Sequence, residues 1–147
     1  MWCYVYVLNC AHMRIHAEFV YVIASDDIVY RELCRQYLLN MGCEQIFVAG
    51  TYDECMTMLE HRPDIVLLDE LENQQETLRT LKAIKRKDPH IYVLNITTPG
   101  DEVNALEALR NGAFDFVIRG KNEEFHLQIM IKKIAHVLEY VHKKDDY

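Results

Sequence analysis

The feature that most constrains this chain is a strict alternation, met five times, between a short apolar run and a segment of helical period. "FVYVIAS" (19–25), "QIFVAG" (45–50), "DIVLL" (64–68), "IYVLNIT" (91–97) and "FDFVIR" (114–119) are brief and rich in β-branched and aromatic residues, so they read as strands. After the first comes "DIVYRELCRQYLLNMG", where Val29, Leu33, Tyr37 and Met41 recur every four residues before Gly42, a helix stop signal. "YDECMTMLEHR" carries Cys55, Met58 and Leu59 on one face and ends before Pro63. "QQETLRTLKAIKRKD" is helical through Leu78, Leu81 and Ile84, bounded by Pro89. "DEVNALEALRNG" has Asp101 and Glu102 in its first turn and Gly112 at its end. A last helix, from about Glu123 to His142, stripes Leu127, Ile131, Ile134, Leu138 and Val141 along one side.

Five strand–helix units in succession demand right-handed crossovers, hence a parallel sheet with helices on both faces. The strands are unbroken apolar runs, as expected when both faces are covered. The expectation is one α/β domain, a doubly wound five-stranded parallel sheet. At 147 residues the chain is long enough for a full core, and no repeat or Gly/Ser linker divides it. A net charge of −7 argues against binding nucleic-acid phosphates. Trp2 to Leu8 is too short to span a bilayer and lacks a basic lead-in, so neither a membrane segment nor a signal peptide is expected. Met13 opens a more ordinary approach to the first strand and is a candidate start, which residues 1–12 in a native mass spectrum would refute. Cys3, Cys10, Cys34, Cys43 and Cys55 follow no CxxC spacing, pointing to reduced, buried thiols in a cytoplasmic protein.

Ligands of such sheets sit beyond the carboxyl ends of the strands. Those ends are Ser25-Asp26-Asp27, the uncharged Gly50-Thr51, Asp69, Thr97-Thr98 and Arg119-Gly120-Lys121. With strand order 2-1-3-4-5 they converge. Taken singly each has an ordinary reading: helix cap, turn former or surface cation. Together, acids repel unless a cation joins them, and a hard divalent ion such as Mg²⁺ suits oxygen donors. A hydroxyl and a guanidinium beside them are donors aimed at an anion, and the expected anion is a phosphoryl group.

"YVIASDD", "PDIVLLDE", "YVLNIT" and "NGAFDFVIRGKNEE", at these spacings, make the chain resemble a response-regulator receiver domain of two-component signalling. The resemblance implies a flavodoxin-like receiver fold over residues 19–142, between an N-terminal extension (1–18) and a charged tail (143–147). It implies Asp69 as phosphoacceptor from a sensor histidine kinase or phosphotransfer protein. Mg²⁺ would be held by Asp26, Asp27, Asp69 and the backbone carbonyl of Leu71. Thr97 would contact the phosphoryl oxygens with Arg119, and Phe116 would be the aromatic switch residue.

The pattern also departs from that family. Arg119 stands where lysine is usual, and its planar fork is not equivalent to an ammonium. Lys121, two residues on, points elsewhere. Thr98 replaces a small residue and narrows access to Asp69. "ELENQQ" stands where Met-Pro usually follows the acceptor.

Only "KKDDY" follows the last helix, so the expected output is contact with a downstream protein or a homodimer through the fourth helix, fifth strand and fifth helix. Neither an enzyme nor a direct nucleic-acid binder is expected. A degenerate receiver that binds partners without phosphorylation is the alternative. An aspartyl phosphatase is disfavoured, because the second place of its D-x-D pattern is Leu71.

Overall fold

The computed structural model describes residues 17–145, with side chains through residue 140. Five parallel strands, β1 (Val20–Ala24), β2 (Gln45–Ala49), β3 (Ile65–Leu68), β4 (Tyr92–Thr97) and β5 (Asp115–Ile118), form one sheet in the order β2-β1-β3-β4-β5. Between and after them lie α1 (Ile28–Asn40), α2 (Tyr52–Met58), a 3₁₀ turn (Leu59–His61), α3 (Gln74–Lys87), α4 (Glu102–Arg110) and α5 (Glu123–Asp145). This is the doubly wound topology expected from the alternation.

Residue alternation sends the strands' side chains into two cores. Tyr21 and Ile23 of β1, Ile65 and Leu67 of β3, and Leu94 and Ile96 of β4 pack against α1 and against Leu127, Ile131 and Ile134 of α5. Val22, Ala24, Val66, Leu68 and Val93 point the other way, onto Cys55, Leu59, Leu81, Ile84 and Ala108 of the opposite layer. β3 is buried at every position, so it is the axis of the molecule.

The first three helices begin at side-chain caps. Asp27, Thr51 and Asn73 accept the backbone N–H of Tyr30, Glu54 and Glu76 respectively. Gly112 takes a φ of +104° after α4, a left-handed stop that a side chain would strain.

One helix buries only the later part of the stripe read from its spacing, Met41 and part of Tyr37. In α1 the buried residues are Tyr30, Cys34 and Leu38, while Val29 is 81% exposed and Leu33 41%. Two apolar stripes of equal spacing run side by side, one residue apart. Which one faces inward depends on how the cap at Asp27 orients the first turn, and spacing alone does not encode that.

Cys34, Cys43 and Cys55 are free and buried, and burial pushes the Cys55 thiol up to about 12. The expectations for residues 1–16, Cys3 and Cys10 among them, and for Val141 and the tail's side chains lie outside the described residues.

Candidate functional site

The ladder itself brings two side chains together at the sheet's carboxyl edge. Ala24 pairs with Leu68, and one step further Asp69 donates its N–H to the carbonyl of Ala24 at 2.8 Å. Ser25 and Asp69 therefore emerge side by side. The Ser25 hydroxyl, fully buried, donates to Oδ2 of Asp69 at 2.7 Å. Asp69 is itself only 4% exposed. Burial raises its proton affinity, and the nearby charge of Asp26 adds to that. The Ser25 hydroxyl, the Glu70 N–H and the Arg119 guanidinium oppose the rise without cancelling it.

Arg119 reaches this carboxylate from the end of β5. Its Nη2 lies 3.0 Å from Oδ2 of Asp27 and 3.7 Å from Oδ2 of Asp69. The guanidinium carbon sits 3.5 Å from the centre of the Tyr30 ring, a cation–π contact. The Tyr30 hydroxyl donates to Oε2 of Glu123 at 2.6 Å, and that of Tyr37 to Oε1 at 3.1 Å. Both oxygens of one carboxylate at the start of α5 thus tether α1, whose tyrosine carries Arg119.

The three acids expected to share an ion form no ready-made metal cluster, although Asp27 and Asp69 both face one nitrogen of Arg119. Among the described residues no three acidic, histidine or cysteine side chains lie at metal-binding spacing. α1 starts at Ile28, which makes Asp27 its cap; one carboxylate oxygen accepts the Tyr30 N–H at 3.1 Å and the other accepts from Arg119. Those bonds hold Asp27 below the usual carboxylate range, the Tyr30 amide contributing most. Asp26 does stay near Asp69 and accepts the Glu72 N–H at 2.7 Å.

Two carboxylates, Asp26 and Asp69, and the Leu71 carbonyl remain as hard oxygen donors. The repulsion that Asp26 exerts on Asp69 is what a cation would relieve, so this reduced set fits Mg²⁺, which is content with one or two carboxylates and water. The loop that carries Leu71 is built tightly. Its carbonyl accepts the Asn73 N–H at 2.7 Å around Glu72, whose φ is +65°, and its N–H donates to the Thr77 hydroxyl at 2.9 Å.

Thr97 ends β4, buried, and its hydroxyl accepts from Asn95 Nδ2 at 2.9 Å. With Asp69, Thr98, Gln74, Thr77 and Asn104 it lines a cleft of about 110 Å³. Phe116 is half-buried and pairs in register with Asn95, so its side chain shares the Thr97 side of the sheet. Thr98 is exposed on the cleft wall, and Lys121 is exposed and lines no part of that cleft.

From the sequence Ser25 is placed at a strand end without a role at the site, and Tyr30 and Glu123 are not placed there at all. Ser25 was readable: with strand one ending at Ala24 and strand three at Leu68 in register, the next residue of each must meet. Tyr30 and Glu123 had no local signal, since 93 residues separate them.

The response regulator receiver domain family matches residues 21–131. The regulatory protein LuxO of Vibrio vulnificus is 34% identical over 98 residues, 66% of this chain and 21% of its own length. The transcriptional regulatory protein ZraR of Salmonella typhimurium is 26% identical over 118 residues, 80% of this chain and 27% of its own. The chain thus spans about a quarter of the length of these two relatives. Two crystal structures share the fold: the receiver domain of NtrX from Brucella abortus (TM-score 0.72, 24% identity, 79% of this chain and 98% of that one) and a response regulator receiver domain protein from Clostridium thermocellum (0.75, 20%, 84% and 98%).

Proposed function

This chain belongs to the response regulator receiver domain family, and on that footing we propose that Asp69 accepts a phosphoryl group from a phosphohistidine of a sensor kinase or phosphotransfer protein. The carrying observation is the position of Asp69: buried at the end of the central strand, hydrogen-bonded by Ser25, and facing a cleft it shares with Thr97. A carboxylate oxygen of Asp69 forms the new P–O bond while the P–N bond to the donor imidazole breaks, and the imidazole leaves with a proton.

Bound at Asp26, Asp69 and the Leu71 carbonyl, Mg²⁺ would offset the repulsion between the anionic nucleophile and the phosphoryl oxygens. The Thr97 hydroxyl turns from Asn95 toward the new oxygens, and Arg119 screens their charge from the side. Movement of Thr97 frees space on the face it shares with Phe116, whose rotation changes the surface of α4, β5 and α5.

The surfaces match this reading. Ile28, Val29 and Leu33 are exposed on α1, the first two directly after Asp27, an apolar rim for a docking donor. Val103 and Leu106 of α4 are exposed at the proposed output face, where a downstream protein or second copy would bind. Among the described residues no helix is long and apolar enough to cross a membrane, and the buried thiols suit the reducing cytoplasm where we place the protein. The protein acts as a signalling phosphoacceptor rather than as a turnover enzyme.

Incubation with phosphoramidate and Mg²⁺ tests this. The expected product is about 80 Da heavier, one phosphoryl group, and the adduct is absent in Asp69→Asn. A second reading, a binding module that takes no phosphoryl group, draws on Arg119 and Asp27 being already paired with one another. An unchanged mass after prolonged incubation selects it.

A further inference from the structure

We propose that Arg119, seated on Tyr30, is the built-in cation of this acid site and competes with a divalent ion for it. The inference rests on the reading that the Asp69 cleft takes such an ion.

The geometry gives Arg119 little freedom. Its guanidinium lies against the Tyr30 ring at 3.5 Å, and Tyr30 is buried, with its hydroxyl held by Glu123. From that seat one nitrogen faces two carboxylates of different elements, Asp27 at 3.0 Å and Asp69 at 3.7 Å. A fixed positive charge beside Asp69 already offsets part of the negative potential that would attract a metal ion, and it repels the incoming ion directly. Asp27 is already engaged by the Tyr30 amide and by Arg119 itself, so it offers an arriving ion little compensation.

Arginine suits this better than lysine would. Its planar fork can stack on an aromatic ring and still present hydrogen-bond donors at its edge, and it is weakly hydrated. The site is thus tuned toward weak ion binding. An arriving phosphoryl group adds the negative charge that lets guanidinium and ion sit together.

Isothermal titration of MgCl₂, repeated with MnCl₂, into the full chain tests this without reference to phosphorylation. Arg119→Gln is expected to bind either ion at least about tenfold more tightly, since a unit charge within 4 Å is removed. Tyr30→Leu, which removes the seat and keeps the charge, is expected to shift affinity the same way by less. Lys121→Gln removes an equal charge two residues away and is expected to match wild type, which separates the seated guanidinium from net charge. Should Tyr30→Leu fail to fold by circular dichroism, the Arg119 and Lys121 variants carry the test alone. Equal affinities in wild type and Arg119→Gln, no measurable binding in either, or equal tightening by Lys121→Gln each overturn the proposal. A phosphoramidate adduct on wild type beside such a result leaves the role of Asp69 standing; lack of any adduct at saturating Mg²⁺ removes that role whatever the titration shows.

Discussion

Replacing Ser25 with alanine isolates the contact on which Asp69 depends. Ser25 is fully buried and its hydroxyl has two partners: it donates to Asp69 Oδ2 at 2.7 Å and accepts the Asp27 N–H at 3.1 Å. A hydrogen bond to a buried charge contributes about 1.5–3 kcal/mol, one between neutral groups about 0.5–1.5 kcal/mol. In Asp69→Asn the side chain is neutral, so the same serine should be worth roughly 1 kcal/mol less there. The Asp27 contact is lost in both backgrounds and cancels in the double-mutant cycle. Urea unfolding followed by circular dichroism, at neutral pH with chelator present, is therefore expected to give a coupling energy of about 1 kcal/mol or more between Ser25 and Asp69. A coupling within about 0.3 kcal/mol of zero, the usual limit of additivity for independent sites, would show that the serine supports the fold without supporting the carboxylate. The reasoning from register to site would then fail.

Asp69→Asn alone is expected to stabilise the chelated protein at neutral pH by about 1–2 kcal/mol, as removal of strain at a functional site commonly does. Its sign follows from the raised proton affinity of Asp69: the folded state favours the protonated acid, so the wild type gains on the variant as pH falls through the carboxylate range and loses as it rises. Thermal melts across that range check this, and a gap that widens toward acid contradicts it. Thr97→Val keeps the shape but strips Asn95 Nδ2 of its acceptor, an expected loss of about 1–3 kcal/mol by denaturant titration. Leu67→Ala, in the middle of the central strand and fully buried, is expected to cost about 2–5 kcal/mol in the same assay.

How much of this molecule was legible beforehand differs by element. β3 could be read outright: a four-residue apolar run followed by an acid has no amphipathic alternative, and it is buried throughout. The rim residues Asp69, Thr97 and Arg119 could be placed because topology sends every strand's carboxyl end to one edge. The engagement of Asp27 as the cap of α1 and the partner of Arg119 could not be read, because the residue that caps a helix and the residue that faces a cleft are adjacent in the chain. Only the position where α1 begins separates the two roles. The same one-residue ambiguity left open whether Val29 and Leu33 or Tyr30 and Cys34 face the core, and the latter pair does.

Local information determined the alternation, the parallel sheet, its two-sided burial and the strand ends at which chemistry collects, because periodicity and caps are properties of a few neighbouring residues. Tertiary structure alone decided the facing of α1, the pairing of Ser25 with Asp69, and the stack of Arg119 on Tyr30 held by Glu123. Those depend on contacts between segments up to 93 residues apart, whose free energy is settled only when both layers have packed on the sheet.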